Sequence, residues 1–371
     1  MSFYIRNLGK YVSKTINGFG KDVGKFSYFK LSVVKRNCIS VINRISCNSN
    51  RMCYQNNITS RGATRYNKDW SSLNSRLLFV SAGIFNLFGL KKVDPTEEPE
   101  LITTMKRGIL LTQKGEFKKA EQMFHVALKL AQEQQNYVAV THIYDLLANL
   151  AYEQGEHEKA EKLFVSVMQR LLSTGTPKTD NKLIHISLKL ANIYRIQKDT
   201  RKAEEGFKFC ASNLQNNIEE GKYDDDTLLL WAMTLDWYAR FLVDVNRLPE
   251  AFENFKRAYD LCVQINGVNN EEIVILLNDL GTICFVQNDL DNAISYLTQA
   301  VTIGNKLPDM EDFGSVLINL GTMYAKKGMM EEAKQLYQDA WKNAKEHNNA
   351  QVLKEASSCL DELKSSKTAQ Q

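Results

Sequence analysis

Cysteine and proline are scarce in this chain of 371 residues, which holds seven cysteines and five prolines. So small and odd a number of cysteines excludes a disulfide scaffold, and no Cys-x-x-Cys pair occurs. The apolar fraction of 44% lies near the globular average, which excludes a collagen-like or wholly disordered chain. We therefore expect reduced thiols in an intracellular compartment, and one large or two ordinary domains.

The sequence also lacks the motifs that mark catalytic or cofactor chemistry. It contains no GxGxxG, no P-loop and no GxSxG motif. Its five histidines fall in different predicted helices, without the HxxxH or HExxH spacing that holds a metal ion. The sequence thus predicts no catalytic residues, no metal, no cofactor and no small-molecule substrate. The remaining catalytic alternative is an enzyme with an unrecognised site.

Acidic residues are nearly absent from the first quarter of the chain. Residues 1–93 hold 16 basic and two acidic side chains, a net charge of +14, whereas the remainder carries −10. An arm rich in Arg, Lys, Ser and Asn and poor in acids has the composition of a mitochondrial presequence. We therefore interpret residues 1–76 as a disordered presequence. The acidic body is a poor candidate for binding nucleic acid, so no nucleic-acid partner is predicted.

The first twenty residues also predict an amphipathic helix. At about 100° per residue, five apolar side chains fall in one stripe and three basic side chains on the opposite side. The apolar stripe is Ile5, Leu8, Val12, Ile16 and Phe19, and the basic stripe is Arg6, Lys10 and Lys14. Such a helix suits both an import receptor and a negative-inside membrane potential. The alternative is a basic disordered arm that touches nucleic acid or lipid.

The apolar run Leu77–Leu90 is too short to span a bilayer. It has fourteen residues, against about 20 for a spanning helix. Basic residues flank it within residues 77–93, which we interpret as a membrane-proximal segment in contact with the inner membrane. A short or interfacial anchor, a sorting segment cut during import, and a helix packed on the first repeat remain open. Residues 94–100, with two prolines and four acids, predict a linker at a domain boundary.

From residue 101 onward, one pattern recurs. A small residue is followed four residues later by an aromatic residue or leucine, and three later by another small or apolar residue. The six copies are Ala120/Phe124/Ala127, Ala160/Phe164/Val167, Ala203/Phe207/Cys210, Ala251/Phe255/Ala258, Ala293/Leu297/Ala300 and Ala333/Tyr337/Ala340. A first element precedes each copy, as in Leu147-Ala148 with Ala151, and turn residues separate the two elements. These are Gly115, Gly155, Lys198-Asp199, Asn246, Asn288-Asp289 and Gly328.

This pattern is typical of stacked helix pairs. A small residue lets the two helices of a pair approach closely, and the aromatic residue fills the gap towards the next pair. The pattern resembles the tetratricopeptide repeat, although the copies lie 40 to 48 residues apart against the usual ~34. The predicted fold is all-α: a right-handed solenoid of about six degenerate pairs over residues 101–363. Residues 350–363 form its capping helix, and residues 364–371 are a disordered tail.

The resemblance places the binding surface on the concave face, which the first helix of each pair lines. The candidate residues are Asp145, Asn149, Glu153, Asn192, Arg195, Asp236, Arg240, Asp244, Asn278 and Thr282. Their mixture of polar and charged side chains suits a peptide or a folded protein partner. The alternative is a solvated face with helix-surface pairs. The spacing i, i+4 and i+8 predicts one polar ridge formed by Asp236, Arg240 and Asp244. The charges of this ridge either pair with each other or meet a partner.

Two tetratricopeptide repeat families share features with the chain. The segment NGVNNEEIVILLNDLGTI resembles kinesin light chain, a cytosolic cargo adaptor. The segments YDLLANLA, AEKLF and ISLKLANIY resemble the mitochondrial tetratricopeptide repeat protein 19 family, as does the order of basic leader, apolar run and acidic linker. The second resemblance implies a non-enzymatic protein of the inner mitochondrial membrane. It would bind respiratory complex III subunits, including the Rieske iron–sulfur protein, and support the assembly and maintenance of the complex, including clearance of Rieske fragments.

Overall fold

The computed structural model describes residues 99–368. The predicted presequence 1–76, the segment 77–93 and most of the linker 94–100 lie outside the described residues. The chain divides into two compact units, residues 1–127 and residues 128–371. This division falls inside the range 101–363 that the sequence predicts as one solenoid.

All regular elements of residues 99–368 are α-helices. In chain order they are α1 (Glu100–Gln113), α2 (Phe117–Glu133), α3 (Tyr137–Glu153), α4 (His157–Ser173), α5 (Asn181–Gln197), α6 (Thr200–Glu219), α7 (Asp225–Asp244), α8 (Leu248–Asn266), α9 (Glu271–Val286), α10 (Leu290–Gly304), α11 (Phe313–Lys326), α12 (Met330–Glu346) and α13 (Ala350–Thr368). The predicted all-α class is therefore confirmed. None of these helices is both long and apolar enough to cross a bilayer.

The described part of the first unit consists of α1 and the beginning of α2. Gly108 of α1 lies directly against the ring of Phe124, and a Cβ atom at position 108 would lie 2.5 Å from a ring carbon. Phe124 is buried together with Ala120 and Ala127, as the repeat pattern predicts. The absence of a side chain at Gly108 is thus what allows these two helices to pack closely.

The second unit is a row of helix pairs. Within it, α3 packs on α4, α5 on α6, α7 on α8, α9 on α10 and α11 on α12, and each pair also contacts the next helix along the chain. The small and aromatic positions of the repeat pattern are all buried, with at most 4% of their surface exposed. First helices of successive pairs also contact one another, as α5 does with α7 and α9 with α11. We therefore take the first helices as the inner face of this solenoid.

Turns and helix starts follow from local residue chemistry. Lys198, Asn246 and Asn288 take the left-handed conformation at the turns within pairs, with φ between 62° and 67°, and glycine takes it at Gly155 and Gly328. The Asp224 carboxylate accepts a hydrogen bond from the Thr227 backbone N–H at 2.9 Å, the N-cap contact that satisfies a free amide of the first turn.

The last helix is longer than the sequence pattern predicts. We expected a capping helix over residues 350–363 and a disordered tail from residue 364, whereas α13 continues to Thr368. Neither glycine nor proline follows residue 363, so nothing local breaks the helix there. The capping helix packs on α12 and also contacts α11.

Candidate protein-binding face

All ten candidate binding residues lie on first helices, namely α3, α5, α7 and α9. The candidates therefore lie on the helices that we take as the inner face of the second unit. Most of them, however, already bond to the neighbouring pair, and their partners include residues that the sequence analysis did not single out.

Two side-chain contacts join α3 to α5. The Lys189 ammonium donates a hydrogen bond to the Asn149 amide oxygen, and the Asn192 amide donates to the Tyr152 hydroxyl. Lys189 is only 1% exposed and lies over the ring of Phe164, with its nitrogen 5.3 Å from the ring centre. This burial holds the pKa of Lys189 well below its ordinary value, because a charged ammonium is costly away from water.

An ion pair joins α5 to α7. The Arg195 guanidinium donates to the Asp244 carboxylate at 2.7 Å and to the Asn192 amide oxygen at 3.3 Å. Arg195 thus connects Asn192, the other predicted residue of its own helix, to the end of the predicted polar ridge on the next pair.

A second ion pair joins α7 to α9. The Arg240 guanidinium lies 2.6 Å from the Asp279 carboxylate of α9 and 3.0 Å from Asp236 one turn earlier on its own helix. The Arg240 side chain is 12% exposed and that of Asp279 is 6% exposed. The charges of the polar ridge were expected either to pair with each other or to meet a partner. Arg240 pairs with Asp236 on its own helix and also with Asp279, 39 positions away.

Amide side chains join α9 to α11. The Asn319 amide donates to the Asn278 amide oxygen at 2.7 Å. Thr282 instead bonds within its own helix, donating from its hydroxyl to the Asn278 carbonyl oxygen at 2.8 Å.

Together these contacts link each pair to the next, and we call them the inter-repeat ladder. Its members are Asn149, Lys189, Asn192, Arg195, Asp244, Arg240, Asp279, Asn278 and Asn319. Sequence reasoning missed Lys189, Asp279 and Asn319. Their position in the repeat was a signal that could have found them. Each of the three stands two positions before the small residue of its first helix.

Four predicted residues lie outside the ladder: Asp236 and Thr282 bond within their own helices, and the other two are carboxylates of α3. Asp145 and Glu153 lie at i and i+8, with Asn149 between them, and neither forms an ion pair with a described side chain. Burial raises the pKa of Asp145 to about 6, although a hydrogen bond from Asn149 lowers it. Burial also raises the pKa of Glu153 to about 7. We call this pair the α3 carboxylates.

Two histidines with desolvated imidazoles accompany them on the first helices. Burial lowers the pKa of His185 to about 4, and burial together with the charge of Lys182 lowers that of His142 to about 4. Both imidazoles are therefore neutral near pH 7. In residues 99–368, no cluster of three or more His, Cys, Asp or Glu side chains could hold a metal ion. The α3 carboxylates are the two acidic side chains of α3, and a basic partner could pair with them.

Comparison with known proteins decides between the two families. Tetratricopeptide repeat models match residues 231–306 and 314–347, and a model of anaphase-promoting complex subunit 5 matches residues 101–154. The mitochondrial tetratricopeptide repeat protein 19 homolog of Drosophila melanogaster is 35% identical over 77% of this chain and 78% of its own length. The chain belongs to the tetratricopeptide repeat protein 19 family.

A second relative agrees with this family, and a solved structure agrees with the fold. The mitochondrial tetratricopeptide repeat protein 19 of Rattus norvegicus is 37% identical over 67% of this chain and 70% of its own length. The solved structure of the apo form of RapI is similar in fold, with a TM-score of 0.58, 11% identity and 77% of each chain covered. As a member of the tetratricopeptide repeat protein 19 family, the chain is a mitochondrial helical-repeat protein with a protein-binding scaffold.

Proposed function

We propose that this chain is a non-enzymatic adaptor of the inner mitochondrial membrane that binds respiratory complex III and supports its assembly and maintenance. Within that role it binds the Rieske iron–sulfur protein and assists in clearing Rieske fragments. The observation that carries the proposal is family membership, at 35% identity over 77% of the chain. Tetratricopeptide repeat scaffolds are typically non-enzymatic and present an extended surface to other proteins.

The leader supports the proposed location. Its net charge of +14 and its amphipathic first twenty residues suit import as a transit peptide. The apolar run Leu77–Leu90, flanked by basic residues, is suited to contact with the inner membrane. The acidic body would then be held close to a membrane complex.

The α3 carboxylates are the part of the inner face that we assign to the partner. The ladder residues already satisfy one another across the pairs, so a partner would have to break those contacts to use them. Asp145 and Glu153, by contrast, are desolvated without a cation. A lysine or arginine from complex III would supply the missing charge, and the attraction between opposite charges is stronger at a desolvated site than at an exposed one, while desolvation of the incoming cation offsets part of it.

The test is co-purification from mitochondria. A tagged full-length chain should retain complex III subunits and the Rieske protein, and the double variant Asp145→Asn/Glu153→Gln should retain several-fold less of them. The matched control is Glu253→Gln/Asp260→Asn on α8, a second helix, where both carboxylates are exposed. Equal loss in both variants would refute the assignment of the α3 carboxylates, and no complex III with the wild-type chain would refute the proposed function.

A further inference from the structure

The solenoid also has a concave apolar surface away from the ladder. Between the second helices α4 and α6, with α5 as its floor, runs an apolar groove of about 340 Å³. Its walls include Met168 and Leu172 of α4 and Phe209 of α6, and its floor includes Leu190 and Tyr194 of α5. We call it the α4–α6 groove. It lies on a different stripe of α5 from the ladder residues.

The groove keeps apolar surface in contact with water. Leu172 is 41% exposed and Phe209 is 37% exposed, on opposite walls. Gly206 lines it as well, and α6 packs so closely on α5 there that a Cβ at 206 would lie 2.8 Å from the Cβ of Ala191. A concave surface lined by leucine, methionine and aromatic side chains is typical of binding sites rather than of a solvated helix face.

One positive charge in the lining of the α4–α6 groove has no ion-pair partner among the described residues. Lys178, in the α4–α5 connection, lines the groove, is exposed and forms no ion pair with a described residue. Near Tyr194, the Glu161 carboxylate accepts a hydrogen bond from the tyrosine hydroxyl at 3.0 Å, and Lys202 pairs with Asp199 at 3.1 Å. The groove therefore offers apolar contact along its length and one unmatched positive charge.

We propose that the α4–α6 groove binds an amphipathic helix of another protein, which carries an acidic residue for Lys178. A helix lying between α4 and α6 would bury an i, i+3, i+4, i+7 stripe against Leu172, Leu190 and Phe209, the helix-in-groove mode of recognition. The chain's own leader does not fit this groove, because it is positively charged like Lys178: residues 1–93 carry +14, and basic residues flank the apolar run. This site lies on other helices than the α3 carboxylates and goes beyond the proposed function.

The experiment uses the purified full-length chain and a displayed library of random 16-residue peptides. Selection on the wild-type chain, with counter-selection on Leu172→Glu, should enrich apolar residues at helical spacing and Asp or Glu at one end. The enriched peptide, measured by fluorescence anisotropy, should bind Leu172→Glu about tenfold more weakly or worse, because a carboxylate would be buried in the apolar groove. Leu172 is partly exposed, so the variant should fold.

Charge reversal tests the role of Lys178. Lys178→Glu should weaken binding of the acidic peptide and strengthen binding of its counterpart with lysine in the acidic position. The controls Val268→Glu and Lys306→Glu, both at exposed loop positions, should bind like wild type. The proposal is overturned if no helical apolar consensus is enriched, if Leu172→Glu binds the peptide equally well, or if Lys178→Glu leaves the charge preference unchanged. Complex III co-purification plays no part in this readout, so the two proposals fail separately.

Discussion

Replacing Arg240 with alanine tests whether the inter-repeat ladder holds the solenoid together. Arg240 is the described side chain that joins α7 to α9 by an ion pair, and its removal leaves Asp279, with 6% of its side chain exposed, without that guanidinium. The guanidinium carbon also lies 5.5 Å from the ring centre of Phe255, so packing is lost as well. Asp236 is 23% exposed and can turn to water, so it contributes less.

The magnitude follows from removing the Arg240 charge beside the buried Asp279 carboxylate. Breaking a buried ion pair by removing one partner costs about 3–5 kcal/mol, and partial exposure of Arg240 places this case near 3 kcal/mol. Removing both partners, as in Arg240→Ala/Asp279→Ala, also removes the buried carboxylate that lost the Arg240 guanidinium. The double variant should therefore cost less than the sum of the two single variants, with a coupling of about 2 kcal/mol.

The assay is urea unfolding followed by circular dichroism, combined with amide hydrogen exchange. In a solenoid, stability depends on interfaces between neighbours, so faster exchange should be largest in α7, α8 and α9 and smaller in α3 and α4. The matched control is Arg201→Ala on α6, which removes an exposed guanidinium and should unfold like wild type. Unchanged unfolding of Arg240→Ala, or strictly additive costs in the double variant, would refute the structural role of the ladder.

Three further predictions concern packing, pH and import. Ala160 is fully buried against Phe164 and Ala148, so Ala160→Trp should lower the free energy of unfolding by about 1–3 kcal/mol or more, measured by urea unfolding; a wild-type midpoint would contradict the packing described here. The α3 carboxylates have raised pKa values, so the folded state holds protons that the unfolded state releases, and their burial costs stability as pH rises from about 4 to about 7. The stability advantage of Asp145→Asn/Glu153→Gln over wild type should therefore grow across that window and level off above it, and a pH-independent difference would show that these groups are not desolvated. Glutamate at the three positions of the basic leader stripe should abolish mitochondrial import in a fractionation assay without changing the circular dichroism of the body, and unchanged import would contradict the presequence interpretation.

The helix pairs could be predicted from sequence because their determinants are local. Ala160 and Phe164 are one turn apart, so helix periodicity alone puts both on the buried face of α4. Turn positions are local too, since asparagine tolerates the left-handed conformation that Asn246 and Asn288 adopt.

The ladder could not be predicted in the same way. Arg240 and Asp279 lie 39 residues apart, and helix periodicity specifies only the face of each residue, not which residue of the next pair it meets. Lys189 is harder still, because an isolated lysine at a helix position predicts exposure, whereas here it is buried over Phe164. The α4–α6 groove depends on the spacing of α4, α5 and α6, which no single helix specifies.

The most direct test of the account is the affinity of the purified full-length chain for purified complex III, measured at two salt concentrations and near pH 7.5. We expect the wild-type chain and the Glu253→Gln/Asp260→Asn control to bind alike and to weaken together at higher salt, since charge pairing contributes to the contact. Asp145→Asn/Glu153→Gln should bind at least tenfold more weakly, with a smaller dependence on salt. Equal affinity of this variant and wild type would contradict the assignment of the α3 carboxylates, and no binding by any of the three chains would contradict the proposed role itself.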